Sequence, residues 1–84
     1  MKKVRVVITP DNEWTKQMES PVFNFDFNNR RYRVVYDFKL GIGALIQDRT
    51  APPEWLEEDK TILEQMIPIC YKTKGKVNCV EVNA

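Results

Sequence analysis

Apolar and polar positions alternate most regularly between Pro21 and Phe38, PVFNFDFNNRRYRVVYDF. Folding this stretch about Asn28-Asn29 as a two-residue turn sets Phe25 opposite Tyr32, Phe23 opposite Val34 and Val22 opposite Val35. Asparagine tolerates the positive φ that a type I′ turn requires at both central positions. The period of a strand then collects Phe23, Phe25, Phe27, Tyr32, Val34 and Tyr36 on one face. Asn24, Asp26, Arg31, Arg33 and Asp37 take the other, with Asp26 directly across from Arg31.

The flanking segments are read from this hairpin outward. Lys2–Thr9 alternates as a strand, with Val4, Val6 and Ile8 inward and Lys3 and Arg5 outward. Val7 interrupts the polar side, which suggests cover there. Glu13–Ser20 fits either one or two helical turns, with Trp14 and Met18 on one side, or an ordered loop. After the hairpin, Gly41-Ile42-Gly43 marks a bulge or turn, and Ala44–Gln47 resumes as a short strand before a break at Asp48–Pro53.

Glu54 to Ile67 is the clearest helix. Pro52-Pro53 suits its first positions and Thr50 or Ala51 its cap. Trp55, Leu56, Ile62, Leu63, Met66 and Ile67 form an apolar stripe, into which Asp59 cuts. Pro68 removes a helical hydrogen bond, so the helix is expected to end at Ile67. A second hairpin turning at Lys74-Gly75 would follow, with Cys70 opposite Cys79. It is preferred over a kinked helix running through Pro68 to Tyr71, because Ile69, Tyr71 and Thr73 are β formers. The expected architecture is α+β: an antiparallel sheet of four to five strands with one amphipathic helix packed on its aromatic face.

Composition narrows the function classes. The 84 residues fit a single small domain, and 43% apolar residues suffice for one core layer. A net charge of +1 argues against a protein that works through bulk charge. There is no signal peptide and no apolar run long enough for a membrane span, so a cytoplasmic protein is expected. Histidine is absent, which removes the commonest general base and the usual partner of a nucleophilic Ser or Cys. Two cysteines without histidine do not make a zinc site within one chain; they read as small packed thiols. No cofactor motif is present: Gly41-x-Gly43 lacks the remaining glycine and the following helix of a dinucleotide fingerprint.

What remains is binding. The expected function is a small non-catalytic protein-binding module, an inhibitor or adaptor of a cellular protein of the kind viruses and mobile elements encode. Trp14 and Tyr71 are its candidate aromatic anchors, and an edge strand offers a route to strand addition or homodimerisation. The alternative is nucleic-acid binding by the basic hairpin, with Arg30, Arg31, Arg33 and Lys39 gripping phosphates. Against it, Asp26 would neutralise Arg31, and charged residues on a sheet face are ordinary protection against aggregation. A small enzyme ranks third.

Overall fold

The computed structural model describes residues 2–45 and 56–83. In chain order these form β1 (Lys3–Pro10), α1 (Asn12–Met18), β2 (Val22–Phe27), β3 (Arg30–Asp37), β4 (Ile42–Leu45), α2 (Glu57–Thr73) and β5 (Cys79–Asn83). The strands make one antiparallel sheet in the order β4-β3-β2-β1-β5, an α+β architecture. No helix among the described residues is long and apolar enough to cross a membrane.

The central hairpin has the anticipated register. Asn28 and Asn29 adopt φ of 53° and 61°. Phe25 pairs with Tyr32, Phe23 with Val34, Val22 with Val35, and Asp26 with Arg31. On the inward face, Phe23, Phe25, Phe27, Val34 and Tyr36 join Val4, Val6 and Ile8 of β1 in a single buried cluster. Ile62, Leu63, Met66 and Cys70 of α2 belong to the same cluster. Val7, by contrast, is 40% exposed, so the cover its position suggested is absent among the described residues.

Of two local elements, one takes an alternative the sequence offered and the other starts earlier than expected. Glu13–Ser20 is helical for most of its length, because the Asp11 carboxylate caps α1 by accepting the Trp14 N–H at 3.0 Å. The short strand after β3 begins at Ile42 rather than Ala44, within the glycine-flanked stretch. Gly43 sits in it because β4 runs close to the core. A Cβ there would lie 2.8 Å from the Tyr36 ring and 2.9 Å from the Ile67 side chain.

The larger correction concerns α2. It begins at Glu57, three residues later than expected, and continues through Pro68 to Thr73 instead of ending at Ile67. There is no hairpin at Lys74-Gly75. Cys70 is buried in the helix, and Cys79 lies on β5, paired with Val7 of β1. Proline inside a helix costs roughly 3 kcal/mol. Here the exposed position of Pro68 keeps its ring out of the core, while Met66 and Cys70 on either side of it are fully buried. Stopping the helix at Ile67 would withdraw Cys70 from the cluster. Lys74-Gly75 does turn the chain, but as a helix stop. Lys74 is left-handed (φ 53°), its N–H donates to the Tyr71 carbonyl, and the Gly75 N–H donates to the Cys70 carbonyl. The expected cap at Thr50 or Ala51, the Pro52-Pro53 start, Glu54, Trp55 of the stripe and the strand residues Ile46 and Gln47 lie outside the described residues.

Gly75 has two reasons to be glycine: its φ of +72° and the Phe23 ring, which an added Cβ would overlap. Replacing it with alanine should cost about 2–4 kcal/mol, combining left-handed strain with overpacking. Lys74→Gly should instead be neutral or stabilising by up to about 1 kcal/mol, since the same backbone conformation suits glycine. Urea denaturation of both variants checks the pair, and similar losses for the two would contradict the helix-stop geometry.

Candidate functional site

Three surface regions gather the polar and aromatic side chains singled out above. The first is the junction between the hairpin tip and the start of α2. Period-2 geometry puts Arg30 in phase with Tyr32, on the side of the sheet that carries α2, and opposite to Arg31. At that place α2 presents Asp59, whose side chain is fully buried. Its carboxylate accepts hydrogen bonds from Tyr32 Oη at 2.6 Å, Asn28 Nδ2 at 3.1 Å and Arg30 Nη1 at 3.0 Å. Arg30 also reaches Glu58 at 2.6 Å, and Tyr32 Oη accepts the Leu56 N–H at 3.2 Å. Burial alone would push the Asp59 carboxyl up, but the bonds from Tyr32, Asn28 and Arg30 outweigh it and hold the group below its ordinary value. Burial and the bond to Asp59 push the Tyr32 phenol up, so it stays protonated as a donor.

Tyr32 was expected to point into the core beside Phe25. It does pack against the core cluster from the expected face but is only half-buried, stacked on Phe27 with ring centroids 5.6 Å apart, and its hydroxyl serves Asp59. The hairpin tip carries an open concavity of about 390 Å³ lined by Asp26 to Arg31. Its two arginines face carboxylates already: Arg31 Nε meets Asp26 at 2.8 Å, as the sequence suggested, and Arg30 meets Glu58 and Asp59.

The second region lies where α1 covers the start of β2. Asp11, besides capping α1, accepts from Asn24 Nδ2 at 3.2 Å and Arg33 Nε at 3.3 Å. The Trp14 N–H, then Asn24 and Arg33, hold its carboxyl below the ordinary range. The Arg33 guanidinium lies 5.2 Å from the centre of the half-buried Trp14 ring. Asn24 is 6% exposed, and its Oδ1 has no partner among the described residues.

The third region is the corner formed by the β3–β4 turn and the last turns of α2. Tyr71 is 37% exposed and stacks on Phe38, with ring centroids 6.0 Å apart. Phe38 in turn stacks on Tyr36 at 5.4 Å, and Tyr36 Oη donates to the Ile67 carbonyl at 2.9 Å. Lys39 is exposed, its backbone N–H bonded to Asp37 Oδ1. Leu40 and Ile42 beside it are 71% and 55% exposed.

The structure therefore separates the basic residues that the sequence grouped. Arg30, Arg31 and Arg33 go to three different carboxylate clusters, and Lys39 lies at the far end of β3. Trp14 and Tyr71 are not brought together either: Trp14 of α1 lies over Arg33, on the face of the sheet opposite α2, whereas Tyr71 is on α2 against Phe38. Sequence reasoning missed Asn28, Asp59 and Leu40. Asp59 had a signal, an acid interrupting the apolar stripe of a helix, and the in-phase Arg30 was its counterpart. Among the described residues no three Cys, Asp or Glu side chains cluster as a metal site requires. No family model, no curated protein and no solved structure matches the chain.

Removing the Asp59 carboxylate strands Asn28, Arg30 and Tyr32 together. Asp59→Ala should cost about 2–4 kcal/mol, less than for a wholly enclosed pair because Arg30 can return to water. Because its folded-state pKa lies below the unfolded one, Asp59 contributes stability that is complete above its ordinary value of 3.8 and is lost as pH falls through the folded value. Asp59→Asn should flatten that acid loss. Thermal melts of the wild type and the variant between pH 7 and pH 2.5 test this, and identical acid profiles would refute it.

Proposed function

We propose that the protein is a small binding module that recognises another protein by adding one of its extended segments to the β4 edge of the sheet, with no catalysis of its own. The observation that carries this reading is the contrast between the two edges. β5 carries Glu81 with Arg5 across from it, a charged edge of the kind that discourages further pairing. β4, Ile42–Leu45, has no charged residue, and both Ile42 within it and Leu40 just before it are exposed.

The register also says which backbone groups are on offer. Tyr36 N–H donates to the Pro21 carbonyl, so the even-numbered residues of β3 bond to β2 and the odd-numbered ones face β4. The pairs Val35–Ala44 and Asp37–Ile42 then exchange bonds within the sheet, and the N–H and C=O groups of Gly43 and Leu45 point away from β3. Outward groups two residues apart are what an incoming strand uses.

The carboxylate pairings of Arg30, Arg31 and Arg33 weigh against the nucleic-acid alternative. A guanidinium paired with Asp or Glu has its charge largely balanced and attracts a phosphate less than a free one would. The chain has no histidine, the commonest general base.

Leu45→Pro deletes an outward donor without removing a β3–β4 bond, since proline is tolerated on the free side of an edge strand. Ile42→Lys adds charge to the edge. Both should fold with melting temperatures near the wild type. Immobilised wild-type protein should retain a saturable partner from a native lysate, and both variants should lose it. Retention unchanged in both variants, or turnover of a small molecule by the purified chain, would overturn the reading.

A further inference from the structure

None of the eight lysines has a carboxylate partner among the described residues, and four of them lie on two segments that meet at one corner of the molecule. Lys39 lies in the turn before β4, and Lys72, Lys74 and Lys76 lie on the last turn of α2 and its exit. All four are exposed, and none meets an acidic side chain among the described residues. Residues 38–45 and 65–80 contain no Asp or Glu at all. Asp37, the acid that precedes the first of these segments in the chain, has its Oδ1 occupied by the backbone N–H groups of Lys39 and Leu40.

These two segments touch. The Tyr71 hydroxyl lies 3.3 Å from where a Cβ on Gly41 would stand, so the α2 end and the β3–β4 turn form one surface. Cations at a helix C-terminus sit well with its dipole, which accounts for Lys72 being tolerated there but not for Lys39 or Lys76. The same corner includes the exposed side chain of Leu40 and the half-open face of Tyr71, while Ile42, paired with Asp37, exposes its side chain on the opposite face of the sheet.

From this juxtaposition we infer that the segment accepted at β4 is acidic: an extended protein strand in which apolar side chains alternate with Asp or Glu. The inference rests on the edge-strand reading above and adds its specificity. Apolar positions of the incoming strand would cover Ile42 on one face of the sheet, its backbone would bond Gly43 and Leu45, and its carboxylates would face the lysines on the other. A protein strand is favoured over a nucleic acid because the corner offers outward backbone groups and aliphatic side chains, which a phosphate backbone does not use. Charge complementarity of this kind sets partner choice and association rate more than total affinity.

The probes are a fluorescein-labelled octapeptide of alternating Val and Glu, its Val-Lys counterpart, and a thymidine oligonucleotide, each titrated into the full chain by anisotropy. Amide chemical shifts locate the site. The Val-Glu peptide should bind at least about tenfold more tightly than the Val-Lys peptide, with its advantage reduced at high salt. Amides of residues 39–45 and 71–76 should shift. Lys39→Glu and Lys72→Glu should each weaken the acidic peptide, while Lys60→Glu, on the acidic part of α2, should not.

Equal binding of both peptides at β4 would overturn the acidic preference and leave the edge-strand reading standing. Oligonucleotide binding at these lysines without peptide binding would overturn both. Binding by none of the probes would overturn this inference alone, because the Leu45→Pro capture experiment judges the edge strand separately.

Discussion

A carboxylate shut away from water must be met by donors, and in this protein a single arrangement of hairpin and helix supplies them. Asp59 stands on the first turn of α2, and its donors come from the hairpin turn and the strand leaving it: Asn28, Arg30 and Tyr32. The bonds fix the helix in two respects. They place its beginning over the hairpin tip, and they set its rotation, because turning α2 by one residue would carry Asp59 off the donors and Leu63 out of the core. A buried ion pair does not guarantee net stability, since its desolvation offsets much of its attraction. What it supplies here is selection of one docking geometry over others with similar apolar contact.

Much of the sheet was legible in the chain, because the information that sets it is local. Two adjacent asparagines define the turn, and strict alternation carries the register outward to Val22 and Val35. The partner of β5 was not legible in that way. Cys79–Asn83 has a pattern that pairs as well with the segment before it as with β1, and the choice is made by distant Val4 and Val6. The end of α2 failed for a related reason. A local rule about Pro68 was weighed without the burial of Cys70, and the apolar spacing Ile62, Leu63, Met66, Cys70 already ran straight across the proline.

The functional reading was less legible still. A run such as Arg30, Arg31 and Arg33 looks like one basic patch in a linear reading. In a strand, neighbours point to opposite sides, and each arginine here meets a carboxylate contributed by a different element. The surface features that remain are the edges of the sheet and the lysine-bearing corner, neither of which is a sequence motif. They arise from where elements stop.

The strand order has a consequence for how the molecule assembles. The β2–β3 ribbon closes over two residues, whereas pairing Lys3 with Asn83 joins positions nearly a whole chain apart. Loop-closure entropy makes the second event slow and dependent on everything between it. During synthesis the growing polypeptide can form its central ribbon early, but β1 stays an open edge until β5 has been made. That exposed row of Val4 and Val6, rather than the finished surface, is the point at which misassociation would compete with folding.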